Sequence, residues 1–137
     1  KKRIDIEYVQ VIYDKLIKQE KLTKEELKWT KTNVGVFKVD KNQLKSLINN
    51  LKMYNISLNW LDVSDITDMK DIFYNSYFNG DISKWNVSSV IDMSYMFYCA
   101  EFNKDISNWN INKQCNTFNM FSKCHIKDEY KPKNNKR

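Results

Sequence analysis

Acid-base and nucleophilic chemistry draws most often on histidine, and the chain has one, His125, next to Cys124. Neighbours in sequence seldom face each other, so the pair to consider is Cys99 with His125 on adjacent passes of the chain. No third residue stands ready to orient the imidazole, which argues against catalysis. Asp81 and Asp105 look like paired catalytic carboxylates, whose mutual repulsion would raise one pKa. An Asp ahead of an extended segment is also a turn residue, its carboxylate accepting backbone N–H bonds. With two Gly and one Pro in the whole chain, turns must be made by Asn and Asp, so the turn role is expected. Cys99, Cys115, Cys124 and His125 are zinc-ligand types, yet no C-x-x-C or H-x-x-x-H pair frames them. Free thiols are expected, with Cys99 and Cys124 close and Cys115 apart at the head of a helix. No metal and no cofactor is expected, and Gly-rich phosphate loops lack raw material.

What must position these residues is bounded by size and composition. The 137 residues suit one domain, with 42% hydrophobic, 14% aromatic and 29% charged residues, as in a folded chain. No apolar run approaches the ~20 residues of a membrane-spanning helix, so no membrane insertion is expected. The formal charge is +6 and much of the excess lies in Lys1-Lys2-Arg3 and Lys131 to Arg137, which read as solvated tails of a basic protein. Arginine occurs only at Arg3 and Arg137, which argues against base-edge readout and direct nucleic-acid binding. Three cysteines are an odd number and not a disulfide framework. The chain opens without Met, as a processed start would, and carries no signal-peptide pattern, which slightly favours an intracellular place.

Sliding the sequence on itself exposes one period, of 24 residues. It carries Leu58 to Ile82 to Ile106, Leu61 to Trp85 to Trp109, and Val63 to Val87 to Ile111. It also carries Tyr54 to Phe78 to Phe102, Met69 to Met93, Ile72 to Met96 to Met120, and Phe73 to Phe97 to Phe121. Each unit opens with apolar-x-x-apolar-x-apolar, as in Ile82-Ser83-Lys84-Trp85-Asn86-Val87, the strand half of a leucine-rich-type unit. Val90, Met93, Met96 and Phe97 follow at spacings of three and four, predicting a short helix, with Asp65 and Ser89 as N-caps and Asp68 and Asp92 in the first turn. Such units bury their apolar faces only by stacking, so the Trp85/Trp109 and Phe73/Phe97/Phe121 series belong to the core. The fold expected is α/β: a short solenoid of three 24-residue strand-helix units over 54–125.

The strings FNGDISKWNVSSVIDMSYMF and FNKDISNWNI, preceded by LNWLDVSDITDMKDIF, resemble the BspA-like leucine-rich-repeat family over residues 54–125. The third unit departs from the pattern where Gln114, Cys115, Asn116 and Thr117 replace the Val-Ile-Asp-Met segment. The resemblance implies a binding solenoid without assigned chemistry, of a kind found in bacterial surface proteins and in mobile-element or viral reading frames.

Residues 1–53 lie outside the period and read as a mainly helical N-terminal cap. Ile6, Val9, Ile12, Tyr13, Leu16 and Ile17 predict one amphipathic helix. Thr23 with Glu26 predicts a capping box for a second. Val34 to Val39 predicts a strand, and Asp40 caps a third helix bearing Leu44, Leu47, Ile48 and Leu51. Residues 126–137 read as a basic tail.

The function expected is a non-enzymatic protein–protein interaction module with no small-molecule substrate, whose partner is another protein or a nucleoprotein. Its contact residues are the outward positions of the strand halves: Trp60, Asp62, Lys84, Asn86, Asn108 and Asn110. Trp60 is either an exposed anchor or a core residue under the cap. Two alternatives compete: a small phage- or mobile-element inhibitor of a host nucleoprotein or nuclease complex, and a fragment of a bacterial surface adhesin.

Overall fold

The computed structural model describes residues 6–133. The basic terminal stretches 1–5 and 134–137 lie outside them, including Arg3, Arg137 and much of the tails singled out above. Helix α1 spans Ile6–Ile17 and α2 spans Lys24–Thr32. Strand β1 is Phe37–Lys38, helix α3 is Lys41–Asn50, and strand β2 is Leu61–Asp62. A 3-10 turn at Asp128–Tyr130 ends the series.

The helices form for the local reasons legible in their sequences. In α1, Val9, Ile12, Tyr13 and Leu16 recur at helical spacing and are buried, facing α3, whose Leu44, Leu47 and Ile48 are buried in turn. Thr23 and Asp40 start α2 and α3 with complete capping boxes, closed by Glu26 and Gln43. Each box satisfies two N–H groups that a helix start leaves unpaired. Glu26 has a second task, since its carboxylate takes the Lys15 ammonium at 3.0 Å and so ties α2 to α1.

Between α2 and α3 the chain runs extended against the next segment. Phe37 lies opposite Leu61 and Lys38 opposite Asp62 in a parallel pair. The Val36 and Phe37 N–H groups donate to the Trp60 carbonyl, and Val39 N–H donates to Asp62. Trp60 is thereby enclosed, with the rings of Trp29 at 5.9 Å and Phe37 at 6.1 Å from its own.

Residues 54–125 correct the expected architecture. A solenoid of three strand-helix units does not form: among the described residues the α-helices all precede residue 51, and the only paired strands are the two-residue β1 and β2. The protein is a small mixed fold. The segments holding Met69 to Ser76 and Met93 to Ala100 are successions of turns, and neither Asp65 nor Ser89 caps a helix.

The reason lies in backbone conformation. Asp71, Asn75, Tyr95, Cys99, Asn119 and Lys123 all have φ between +52° and +63°, and a helix cannot pass through a left-handed residue. In place of helical bonding, alternate N–H groups go two ways. Ile72, Tyr74 and Ser76 donate to the carbonyls of Met69, Asp71 and Phe73, closing tight turns, whereas Met69, Asp71, Phe73 and Asn75 donate outward to Asp92, Ser94, Met96 and Tyr98. The next stretch repeats this, Met93, Tyr95, Phe97 and Cys99 donating to Asn116, Phe118, Met120 and Ser122. Apolar spacings of three and four thus arise from turns.

Side chains one period apart do meet. Phe73 and Phe97 stack with ring centroids 5.2 Å apart, Phe97 and Phe121 at 5.4 Å, and Trp85 and Trp109 at 6.3 Å. The tryptophans also substitute for missing strand bonds, Trp85 Nε1–H donating to Leu58 O at 2.8 Å and Trp109 Nε1–H to Ile82 O at 3.0 Å. Asparagines do the same elsewhere: Asn79 Oδ1 accepts from Asn103 N–H, and Asn103 Oδ1 from Lys127 N–H. Gly80 passes so close to Ile56 that a Cβ there would run into the Ile56 carbonyl.

Two outcomes follow for stability. Trp85→Ala removes a buried aromatic and is expected to cost about 3–5 kcal/mol in denaturant melts, while Trp85→Phe keeps the stack, loses the indole bond and costs about 1 kcal/mol. The second outcome concerns acid. Burial alone would raise the Glu26 carboxyl, but the Thr23 backbone N–H and the Lys15 ammonium outweigh it and hold the group below its usual value. A lowered carboxyl stabilises the fold above its unfolded-state pKa, and that contribution is lost as pH falls through the folded value. Urea midpoints of wild type and Glu26→Gln should therefore differ at neutral pH and converge in acid.

Candidate functional site

The outward positions expected to bind a partner divide in the structure. Lys84, Asn86, Asn108 and Asn110 are exposed, while Asp62 is half-buried. Trp60 is fully buried, its indole N–H donating to Ser57 O at 2.8 Å, so of the two roles open to it the core role under the cap is the one it takes. Asp62 and Asn86 also serve their own loops, each Oδ1 accepting from the backbone and hydroxyl of the serine two residues on, Ser64 and Ser88.

Beside Asn108 lies an open polar cleft of about 630 Å³, lined among others by Lys31, Ser57, Asp81, Lys104 and Asp105. The two aspartates there act as turn residues. Asp81 Oδ1 accepts from Ser83 N–H and Asp105 Oδ1 from Ser107 N–H, both at 2.9 Å. Burial would raise the Asp81 carboxyl, but bonds from Ser83 and Asn59 hold it below the usual range, and bonds from Ser107 do the same for the exposed Asp105. A proton-sharing dyad would push one of them upward.

A second surface escaped the reading of the sequence, because it belongs to the segments expected to be helical. Tyr74 and Tyr98 stack at 5.3 Å, Tyr98 meets Tyr95 edge-on at 5.5 Å, and Tyr95 meets Phe118 at 5.7 Å. The Lys123 ammonium sits 5.8 Å from the Tyr98 ring centre. Tyr74 and Phe118 keep 51% and 49% of their surface exposed, so four rings in series line one face. The repeat-length shift from Tyr74 to Tyr98 was the signal available for it. The left-handed residues are what turn these rings outward while Phe73 and Phe97 turn in.

Residues 42–132 match the family described as "Mycoplasma protein of unknown function, DUF285". No curated protein and no solved structure matches the chain. The match begins inside α3, earlier than the repeat period does.

Cys99, Cys115 and Cys124 are free and half-buried. Cys115 heads no helix. The Cys124 thiol donates to Phe102 O at 3.4 Å, and the neighbouring His125 points to Glu101, 3.6 Å away, with both side chains largely exposed. No cluster of three or more His, Cys, Asp or Glu able to hold a metal occurs among the described residues. Burial raises the thiol pKa of both Cys115 and Cys124 above the ordinary value, and the thiolate is the reactive form. Alkylation of these two by iodoacetamide, followed by peptide mass spectrometry, is expected to need higher pH than a free cysteine peptide.

Proposed function

Because the chain belongs to the DUF285 family, whose description assigns no function, its own surface carries the reading, and we propose that it is a non-enzymatic protein-binding module. The observation behind this is the surface series Tyr74, Tyr98, Tyr95 and Phe118, exposed at its two ends and half-buried at Tyr98 and Tyr95. Large aromatics left in water with no partner element are the residue types that dominate binding energy at protein interfaces. Cross-stretch hydrogen bonds hold the backbone at Tyr95, Tyr98 and Phe118, and Tyr74 N–H closes a turn onto Asp71, so little ordering cost remains on association. The polar row of Lys84, Asn86, Asn108 and Asn110 fits the solvated rim of such an interface. The resemblance of residues 54–125 to BspA-like leucine-rich repeats supports the same class of function.

The test is capture from cell lysate on immobilised chain, with and without nuclease. One protein should be retained under both conditions. The double variant Tyr74→Ser/Tyr98→Ser should weaken retention by about tenfold or more, since hot-spot losses start near 2 kcal/mol, with its melting curve nearly unchanged. Lys84→Glu with Asn86→Ala and Asn110→Ala should change little. The reverse ranking would move the interface to the polar row, and retention abolished by nuclease would favour the nucleoprotein inhibitor.

A further inference from the structure

The outward bonding that joins successive stretches stops at the third. The N–H groups of Met69, Asp71, Phe73 and Asn75, and then of Met93, Tyr95, Phe97 and Cys99, all find carbonyls in the stretch that follows their own. The next set in this series is Thr117, Asn119, Phe121 and Lys123. Among the described residues none of these four N–H groups has an acceptor. Asn119 and Lys123 hold the same left-handed φ as their counterparts, +52° and +59°, so the row is shaped as the earlier rows are. Phe121 is half-buried where Phe73 and Phe97 are fully buried, and its outer side has the Lys131 ammonium 5.5 Å from the ring centre.

At the opposite end the part of the first stretch just ahead of the corresponding row is covered. There an added segment, residues 35–41, donates N–H groups into the carbonyls of Asn59, Trp60 and Asp62. It also places Lys38 on Asp65 and Lys41 on Asp68, both at 2.6 Å. Shifted by two periods, Asp65 becomes Lys113 and Asp68 becomes Asn116, while Asn75 becomes Lys123. No Asp or Glu occurs between Asp105 and Asp128, whereas Lys113, Lys123 and Lys127 do. The polarity of the end is inverted, in backbone and in side chains.

We infer that the row Thr117, Asn119, Phe121 and Lys123 is a docking edge for an acidic segment of a partner protein. The segment lays its backbone carbonyls on the four N–H groups, its carboxylates near Lys113 and Lys123, and an aromatic ring on Phe121 in place of the Lys131 ammonium. Unpaired main-chain donors in a row are a recognised template for an added chain. Two copies of this protein joined by this edge would set donors against donors and lysines against lysines, and in a head-to-tail copy the acids that would come to this edge, Asp65 and Asp68, are already taken by Lys38 and Lys41. The edge rests on the protein-binding reading and meets the aromatic face only at Lys123, whose ammonium lies 5.8 Å from the Tyr98 ring centre, so the other three N–H groups and Lys113 tell the two apart.

The probe is a synthetic peptide of residues 89–100 bearing Ser89→Glu and Cys99→Glu, which would place its acids beside Lys113 and Lys123 and its Phe97 on Phe121. Titrated to millimolar concentration against the ¹⁵N-labelled full chain, it should shift the amides of Thr117, Asn119, Phe121 and Lys123 and slow their exchange. The charge-reversed chain Lys113→Glu/Lys123→Glu should bind this peptide about tenfold more weakly. It should bind instead the peptide with Ser89→Lys and Cys99→Lys. Shifts confined to Tyr74, Tyr95 and Tyr98, or none at all, would overturn the edge. So would broadening of the four amides with protein concentration in the absence of peptide, which would make a second copy the occupant.

Discussion

The backbone bonds between successive stretches of the repeat are the constraint on which the rest of the structure depends. Four N–H groups in each of two stretches reach carbonyls of the next stretch, at 2.7–3.3 Å. To aim them outward while alternate N–H groups close tight turns, the chain passes through a left-handed residue every fourth position, at Asp71 and Asn75, Tyr95 and Cys99, Asn119 and Lys123. None of these is glycine, and each such residue costs roughly 1–2 kcal/mol. That cost is met by the bonds and by the ring series Phe73, Phe97 and Phe121, which keep a constant spacing from one stretch to the next. Asp68, Asp92 and Asn116 keep the passes in register through isolated parallel bridges. Each also accepts, through its side chain, the N–H two residues on.

The two ends of this arrangement are treated differently. The first is covered by α1, α2, β1 and α3, with Trp60 clasped between Trp29 and Phe37. The ion pairs of Lys38 and Lys41 at its margin are exposed enough to contribute little stability; what they supply is register between the cover and the first stretch. At the other end the turn Asp128–Tyr130 closes only part of the surface, with Tyr130 O accepting from Ile106 N–H. Alternation inside each stretch decides the rest. Inward positions fill the core, and the outward ones leave Tyr74, Tyr95, Tyr98 and Phe118 in contact with one another and with water.

Much of this is legible in the sequence alone. The capping box at Thr23, the cap at Asp40, the buried stripe of α1 and the inward Trp and Phe series all follow from local chemistry or a fixed period, and chain neighbours decide them. The backbone between those positions was not legible, because an apolar spacing of three and four is the same whether a helix or a run of tight turns produces it. The choice was made by bonds to the following stretch of the repeat, such as Phe73 N–H to Met96 O, which no local window contains. Trp60 could be assigned to the core only once the distant Trp29 and Phe37 were seen to lie over it. The candidate site divided in the same way: the polar row around Lys84 and Asn86 was read from alternation, whereas the aromatic face and the open N–H row depend on which way left-handed residues turn the chain. Side-chain chemistry and period are properties of the sequence, and the direction each N–H group points is a property of the neighbour that receives it.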